Sequence, residues 1–263
     1  MFESTKNKIK SVILIYAKSL LFLRYFIELS YKGTAYHGWQ IQPDAISVQE
    51  EINKAISQIL QEKIDVVGAG RTDAGVHAQQ MFAHFDSKKE LNSDFVYKFN
   101  AVLPNDIVIH SLSRVSDDKH ARFEATSRSY EYHIWLGRNP FLLETSWQLY
   151  QPNLDIDTMN QAANVLLDYT DFECFSKVKT DVKTFNCTVT EAVWKQNGSE
   201  LVFHITANRF LRNMVRAIVG TLLEVGQGKK TVEDFRKVIE SKKRSEAGLS
   251  VPAQGLFLTK VTY

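Results

Sequence analysis

Residues 68–78, GAGRTDAGVHA, are the most informative stretch of the sequence, because three glycines and four polar or charged side chains separate two strand-like segments. Residues 63–67 before it and residues 78–85 after it are predicted to be strands. Glycine lets a backbone turn sharply and lets a substrate come close. The stretch therefore predicts a rigid strand-to-strand turn that carries the acid Asp73.

The segments on the N-terminal side of this turn predict one strand and one helix. Residues 24–31, RYFIELSY, alternate in the manner of a strand. Ser47 and Glu50 have the spacing of a capping box, which predicts a helix start. The apolar residues that follow keep helical spacing and give one apolar stripe: Val48, Ile52, Ala55, Ile56, Ile59 and Leu60.

The C-terminal side of the turn continues the mixture of helices and strands. Ser93 is predicted to cap a short helix. Strands are predicted at 130–136 and 255–263, and helices at 156–167, 209–225 and 231–240. Asn197-Gly198 is a strong two-residue hairpin signal between strands 191–195 and 201–206. This order predicts an α+β fold with largely antiparallel sheets. The polar run VSDDKH at 115–120 predicts a boundary between residues 24–117 and residues 118–263.

Composition excludes several classes of protein. The chain has 263 residues, 32 Lys and Arg against 30 Asp and Glu, and two cysteines. Two thiols cannot build a disulfide scaffold, and no Cys/His spacing indicates zinc, so a reducing, cytoplasmic location is expected. Residues 1–23 are interpreted as an extension outside the fold. Their apolar run is too short to span a bilayer, so no membrane association is expected.

Asp73 by itself allows two interpretations. An acid on a rigid turn between strands is well placed for catalysis, but an Asp between glycines more often caps the turn through its own backbone. Arg71 and His77 are open to the same choice between a functional role and a structural one. Neither composition nor spacing decides between these interpretations.

Six segments, in order, resemble the TruA family of tRNA pseudouridine synthases. They are GRTDAGVHA at 70–78, YKGTAYHGWQIQP at 31–43 followed by SVQ, NAVLPNDI at 100–107, RFEATSRSYEY at 122–132, NRFLRNMVRAIVGTLLEVG at 208–226 and VPAQGLFL at 251–258. The resemblance runs from about Arg24 to Tyr263. It implies the pseudouridine synthase fold, with two α/β halves joined around a central basic cleft. It also implies an isomerase that converts uridines 38, 39 and 40 in the anticodon stem-loop of tRNA.

The resemblance also implies roles for individual residues. The family's catalytic aspartate corresponds to Asp73, and its positive partner corresponds to Arg216. Tyr130 corresponds to the tyrosine that stacks on the target base. Arg71 is implied to hold the extruded nucleotide, and Leu256 to lie beside the base. No cofactor and no metal are implied, and a homodimer is implied to grip one tRNA across both subunits.

The spacing of three arginines adds to this assignment. On a helix over 209–225, Arg209, Arg212 and Arg216 would lie within an arc of roughly 60°. A buried carboxylate resists ionisation unless a positive group is close, so Arg216 is expected to pair with Asp73. Arg209 and Arg212 are expected to contact phosphates.

Two other functions remain open at this stage. The chain could bind RNA without catalysis, or it could be a glycoside or nucleoside hydrolase. Most glycosidases need two nearby carboxylates, and the turn offers only Asp73, with Asp65 and Asp86 outside it. The sequence also departs from the family at Cys174, where Ser is more usual, and at Asn186-Cys187-Thr188, where an Arg-Thr pair is frequent.

Overall fold

The computed structural model describes residues 22–150, 153–178 and 182–263. Within these residues nine strands form one sheet, in the order β4-β1-β3-β9-β5-β8-β7, with β2 paired to β3 and β6 paired to β5. The strands are β1 (Leu23–Tyr31), β2 (Val67–Gly68), β3 (His77–Ser87), β4 (Ile107–Val115), β5 (Ser127–Leu136), β6 (Trp147–Leu149), β7 (Val189–Asn197), β8 (Glu200–Ala207) and β9 (Leu256–Thr262). The helices are α1 (Val48–Leu60), α2 (Asp94–Asn100), α3 (Ile156–Val165), α4 (Met214–Gly226) and α5 (Val232–Ser241).

The last strand, β9, lies at the centre of the sheet. It pairs in parallel with β3, with Ala78 opposite Leu258. On its other side it pairs antiparallel with β5, with Leu258 opposite Tyr130. The β5–β6 pair is also parallel, and the remaining pairs are antiparallel. In the sheet, β9 therefore lies between β3, which begins at the end of the GAGRTDAGVHA turn, and β5, which carries Tyr130.

Alternation along the strands gives the sheet a buried face. In β1 the residues Tyr25, Ile27 and Leu29 are buried, and the residues between them are partly exposed. Because side chains alternate across a strand, this pattern marks one face that packs against helices. Two clusters of buried residues result. One contains α1 and the strands of the N-terminal part, and the other contains α3, α4 and α5 with β5 and β8. Tyr130 packs against both clusters.

The predicted α+β class with a mostly antiparallel sheet is confirmed. The predicted boundary between residues 24–117 and residues 118–263 stays a prediction. Most of the predicted extension, residues 1–21, lies outside the described residues, and β1 begins at Leu23, one residue before its predicted start. None of the helices described is both long enough and apolar enough to cross a membrane.

Several predicted element bounds are wrong. The predicted strand at 63–67 shrinks to β2, and the helix predicted over 156–167 ends as a 3-10 turn after Val165. Ser93 makes no side-chain capping bond. The helix predicted over 209–225 begins only at Met214, because Asn213 adopts a left-handed conformation with φ of 68°. Arg209 and Arg212 therefore precede the helix, and the 60° arc does not apply to them.

Candidate active site

Asp73 occupies the first position of a tight turn. Its carbonyl oxygen accepts a hydrogen bond from the Val76 amide at 3.2 Å, which closes a four-residue turn. Gly75, the third residue of that turn, has φ of +79°. A turn with a positive φ at this position strongly favours glycine. The Gly75 amide also donates to the carbonyl of Tyr36 at 3.2 Å, so the turn is fixed to the segment after β1.

The residue before Asp73 is held by two further contacts. The Thr72 carbonyl accepts a hydrogen bond from the Trp39 amide at 3.2 Å, and the Thr72 hydroxyl lies 2.8 Å from the hydroxyl of buried Tyr31. A Cβ on Gly38 would lie 2.4 Å from the Thr72 carbonyl oxygen, so only glycine permits this approach. The YKGTAYHGWQIQP segment thus positions the backbone on which Asp73 stands.

Two guanidinium groups flank the Asp73 carboxylate. Arg212 Nε lies 3.7 Å from Oδ1, and Arg216 Nη1 lies 3.9 Å from Oδ2. Both distances exceed that of a hydrogen bond, so the carboxylate oxygens remain available to a substrate. The Asp73 side chain is 27% exposed, against 59% for Arg212 and 21% for Arg216. A partly buried anion is therefore stabilised by two cations from the distant α4 region.

Arg216 is positioned by backbone contacts with the segment before β9. Its Nε donates to the Val251 carbonyl at 2.6 Å, and its own carbonyl accepts from the Val251 amide at 3.2 Å. The Arg212 carbonyl accepts from the Lys177 amide at 3.0 Å. The Asn213 side chain bonds the Ser250 hydroxyl at 2.5 Å, which holds the turn that separates Arg212 from α4.

Tyr130 lies beside this charged group on β5. Its ring meets Phe210 edge to face, with ring centroids 5.1 Å apart. Burial raises the pKa of Tyr130 to about 12, with Arg128 opposing the shift and the charge of Asp73 adding to it. The phenol is therefore neutral at physiological pH.

His77 and Leu256 are both buried next to the turn. His77 Nδ1 accepts from the Gly33 amide at 3.0 Å, and its Nε2 lies 3.1 Å from the Gln254 carbonyl, which fits a neutral ring that donates from Nε2. Burial lowers the pKa of His77, in agreement with that tautomer. Leu256 is only 6% exposed and belongs to the C-terminal core. No cluster of three or more His, Cys, Asp or Glu side chains suited to a metal occurs in the described residues.

Sequence comparison places this site in a known family. The sequence profile of the protein family described as tRNA pseudouridine synthase matches residues 29–124 and 162–263. The chain belongs to this family. A tRNA pseudouridine synthase A from Bacteroides fragilis is 53% identical over 243 residues, which cover 91% of this chain and 96% of that protein. The protein of the same name from Bacillus licheniformis is 40% identical over 239 residues, which cover 89% and 97%. The resemblance drawn from the six segments is confirmed.

The structure of this tRNA pseudouridine synthase family member adds two features that the sequence did not predict. Arg212 stays a predicted phosphate contact, and its guanidinium also lies beside Asp73. Arg122 was not considered as a site residue. Its side chain is largely exposed, and its pKa is lowered first by partial burial and then by the charges of Arg71 and Arg209. No spacing rule links these three arginines, because they come from three separate segments.

Proposed function

We propose that this protein isomerises uridine to pseudouridine at positions 38, 39 and 40 in the anticodon stem-loop of tRNA, with Asp73 as its catalytic carboxylate. The position of the Asp73 carboxylate is the main support for this proposal. The Asp73 carboxylate stands on a fixed turn, between two guanidiniums at 3.7 and 3.9 Å, with both oxygens free to meet a substrate. Family membership supplies the reaction class, isomerisation of uridine in tRNA.

The reaction breaks the N1–C1′ bond of uridine, turns the base and joins C5 to C1′, with no change of oxidation state. Asp73 acts on the sugar, either as a nucleophile or as a base. In both roles the negative charge of Asp73 lies beside the positive charges of Arg212 and Arg216, at 3.7 and 3.9 Å. A cation at each carboxylate oxygen also limits the repulsion between Asp73 and the phosphates of the RNA.

Tyr130 and the exposed arginines hold the nucleotide. A uridine in a folded RNA must leave its stack before its glycosidic bond is reachable. The Tyr130 ring offers a surface on which the base stacks, worth about 1–3 kcal/mol per base. In this proposal Arg71, Arg209 and Arg212 contact phosphates. Leu256 lies beside the base. The protein then recognises mainly the backbone and shape of the RNA, and contacts to phosphates make tRNA binding sensitive to salt.

The proposal includes a homodimer that grips one tRNA across both subunits, a cytoplasmic location, and a reaction without cofactor or metal. Sedimentation of the protein with and without tRNA tests the dimer. Two subunits per tRNA is the expected result, and one subunit bound to one tRNA would contradict it.

Conversion of undermodified tRNA tests the activity. Wild-type protein should form pseudouridine in the anticodon stem-loop, and Asp73→Asn should abolish this while retaining tRNA binding. Asp117→Asn is the matched control, because Asp117 is exposed near the end of β4. Release of free uracil would instead indicate a hydrolase, and binding by wild type without any conversion would indicate an RNA-binding module. The other acids considered for a hydrolase are engaged elsewhere, since Asp65 accepts from Asn53 and Asp86 pairs with Arg24.

A further inference from the structure

The Arg128 side chain joins three separate segments of the chain around the site. Its Nη1 donates to the carbonyls of Ala125 at 2.7 Å and Asn208 at 3.0 Å. Its Nη2 donates to the carbonyls of Ala69 at 3.0 Å and Arg122 at 2.8 Å. These oxygens belong to three segments: the GAGRTDAGVHA stretch at 68–78, the segment before β5 and the segment before α4. The Arg128 guanidinium thus donates hydrogen bonds to backbone carbonyls of all three segments.

Each of the three segments carries another arginine next to its contact with Arg128. Arg71 follows Ala69 by two residues, Arg122 supplies its own carbonyl, and Arg209 follows Asn208 directly. Within residues 22–150, 153–178 and 182–263, none of these three side chains forms an ion pair with an acid. Partial burial of its guanidinium lowers the pKa of Arg122, and the charges of Arg71 and Arg209 lower it further. Like charges held together without an acid are unfavourable unless an anion binds between them.

We propose that Arg128 is a positioning residue that assembles Arg71, Arg122 and Arg209 into one phosphate-binding group for the RNA strand that enters the active site. The inference rests on the proposed function, because the ligand is the RNA backbone. Its location supports this ligand. Arg71 lies two residues before Asp73, and Arg128 lies two residues before Tyr130, on the same face of β5. A phosphate held there belongs to the nucleotide in the site or to its neighbour.

Arginine is specifically suited to the role of Arg128. A guanidinium is a planar fork with five donors, so its two terminal nitrogens can serve four carbonyl oxygens at once. A lysine ammonium has the same charge but only three donors on one nitrogen. Arg128→Lys therefore preserves the charge and loses most of the backbone contacts. If Arg128 bound RNA as a charge, lysine would replace it.

The experiment measures pseudouridine formation and tRNA binding over a range of salt concentrations. Arg122→Gln should raise KM about tenfold, leave kcat within about twofold, and reduce the slope of log affinity against log salt by about 0.7 to 0.9. Arg128→Lys should reduce that slope by about one or more and raise KM further, while the thermal melt shows a folded protein. Arg138→Gln is the matched control, since Arg138 is exposed beyond the far end of β5, about 20 Å from Tyr130.

Each outcome decides one part of the inference. An unchanged salt slope for Arg122→Gln would refute the phosphate-binding group. The Arg122 side chain is exposed, so we expect this variant to fold, and its thermal melt checks this. Arg128→Lys with wild-type slope and KM, or with an unfolded chain, would refute the positioning role. If wild-type protein binds tRNA but forms no pseudouridine, the proposed function fails, while the salt slopes still test the phosphate group.

Discussion

Replacing Arg216 with Met tests the electrostatic basis of the site. The substitution removes a cation 3.9 Å from Asp73 Oδ2 and keeps an unbranched side chain of similar length. Coulomb's law gives about 2 kcal/mol at an effective dielectric constant of about 40, which suits side chains that are about a quarter exposed. Bound RNA expels water, and at a dielectric constant of about 20 the figure rises to about 4 kcal/mol. The expected fall in kcat is therefore between about 30-fold and about a thousandfold.

The assay compares kcat with the dissociation constant for tRNA, measured on the same preparation. We expect the dissociation constant to change by less than about threefold, because one partly buried charge contributes little of the salt-dependent binding. Arg212→Met serves as the comparison. Arg212 lies at a similar distance from Asp73 but is 59% exposed, so its effect on kcat should be smaller. Equal losses of turnover and binding for Arg216→Met would refute the pairing role.

Two further substitutions test neighbouring parts of the structure. Tyr130→Phe should retain tRNA affinity, because the ring remains for stacking, and should lower kcat; unchanged turnover would confine Tyr130 to stacking or packing. His84 is 4% exposed, its Nδ1 accepts from the Ala121 amide at 3.2 Å, and burial lowers its pKa to about 4. Its neutral form stabilises the fold fully above pH 6.5, and this contribution is lost as the pH falls towards 4. Wild type should lose about 2 kcal/mol of unfolding free energy from this group between pH 7 and pH 5. His84→Asn keeps an acceptor and should show a shallower loss in denaturant titrations, whereas exposed His110→Asn should behave as wild type. Equal slopes for all three proteins would contradict the assignment.

Local pattern was enough to predict most of the elements. Strands such as β1 and β8 alternate buried and partly exposed residues, and the stripe of α1 keeps helical spacing, so each element is visible in its own residues. The parallel pairing of β3 with β9 was not predictable in this way. It joins His77 to Phe257 across 180 positions, and no local feature encodes the choice of partner. The pairing depends on the packing of the whole sheet.

In the site, too, local features could be predicted from the sequence and contacts between distant segments could not. The glycine turn that carries Asp73 could be located within eleven residues, but its proposed role came from the resemblance of six segments to a family. The position of Arg212 could not be found from helical spacing, because Asn213 leaves the helical conformation just before α4. The side chain of Arg212 reaches Asp73 from a loop, and Arg216 reaches it from the first turn of the helix. The pairing of Arg216 with Asp73, which stays a prediction, was argued partly from a helix that begins later than expected.

The central position of β9 explains why distant segments act on one carboxylate. Leu258 lies opposite both Ala78 and Tyr130, so a single register fixes the Asp73 turn relative to the Tyr130 ring. The segment just before β9 also holds Arg216 through Val251. Because side chains alternate along a strand, a shift of β9 by one residue would turn Leu258 away from the core. Packing of that residue in the core therefore fixes the position of the Asp73 turn relative to Tyr130, although no residue of β9 contacts Asp73 through a hydrogen bond or an ion pair in the described parts of the chain.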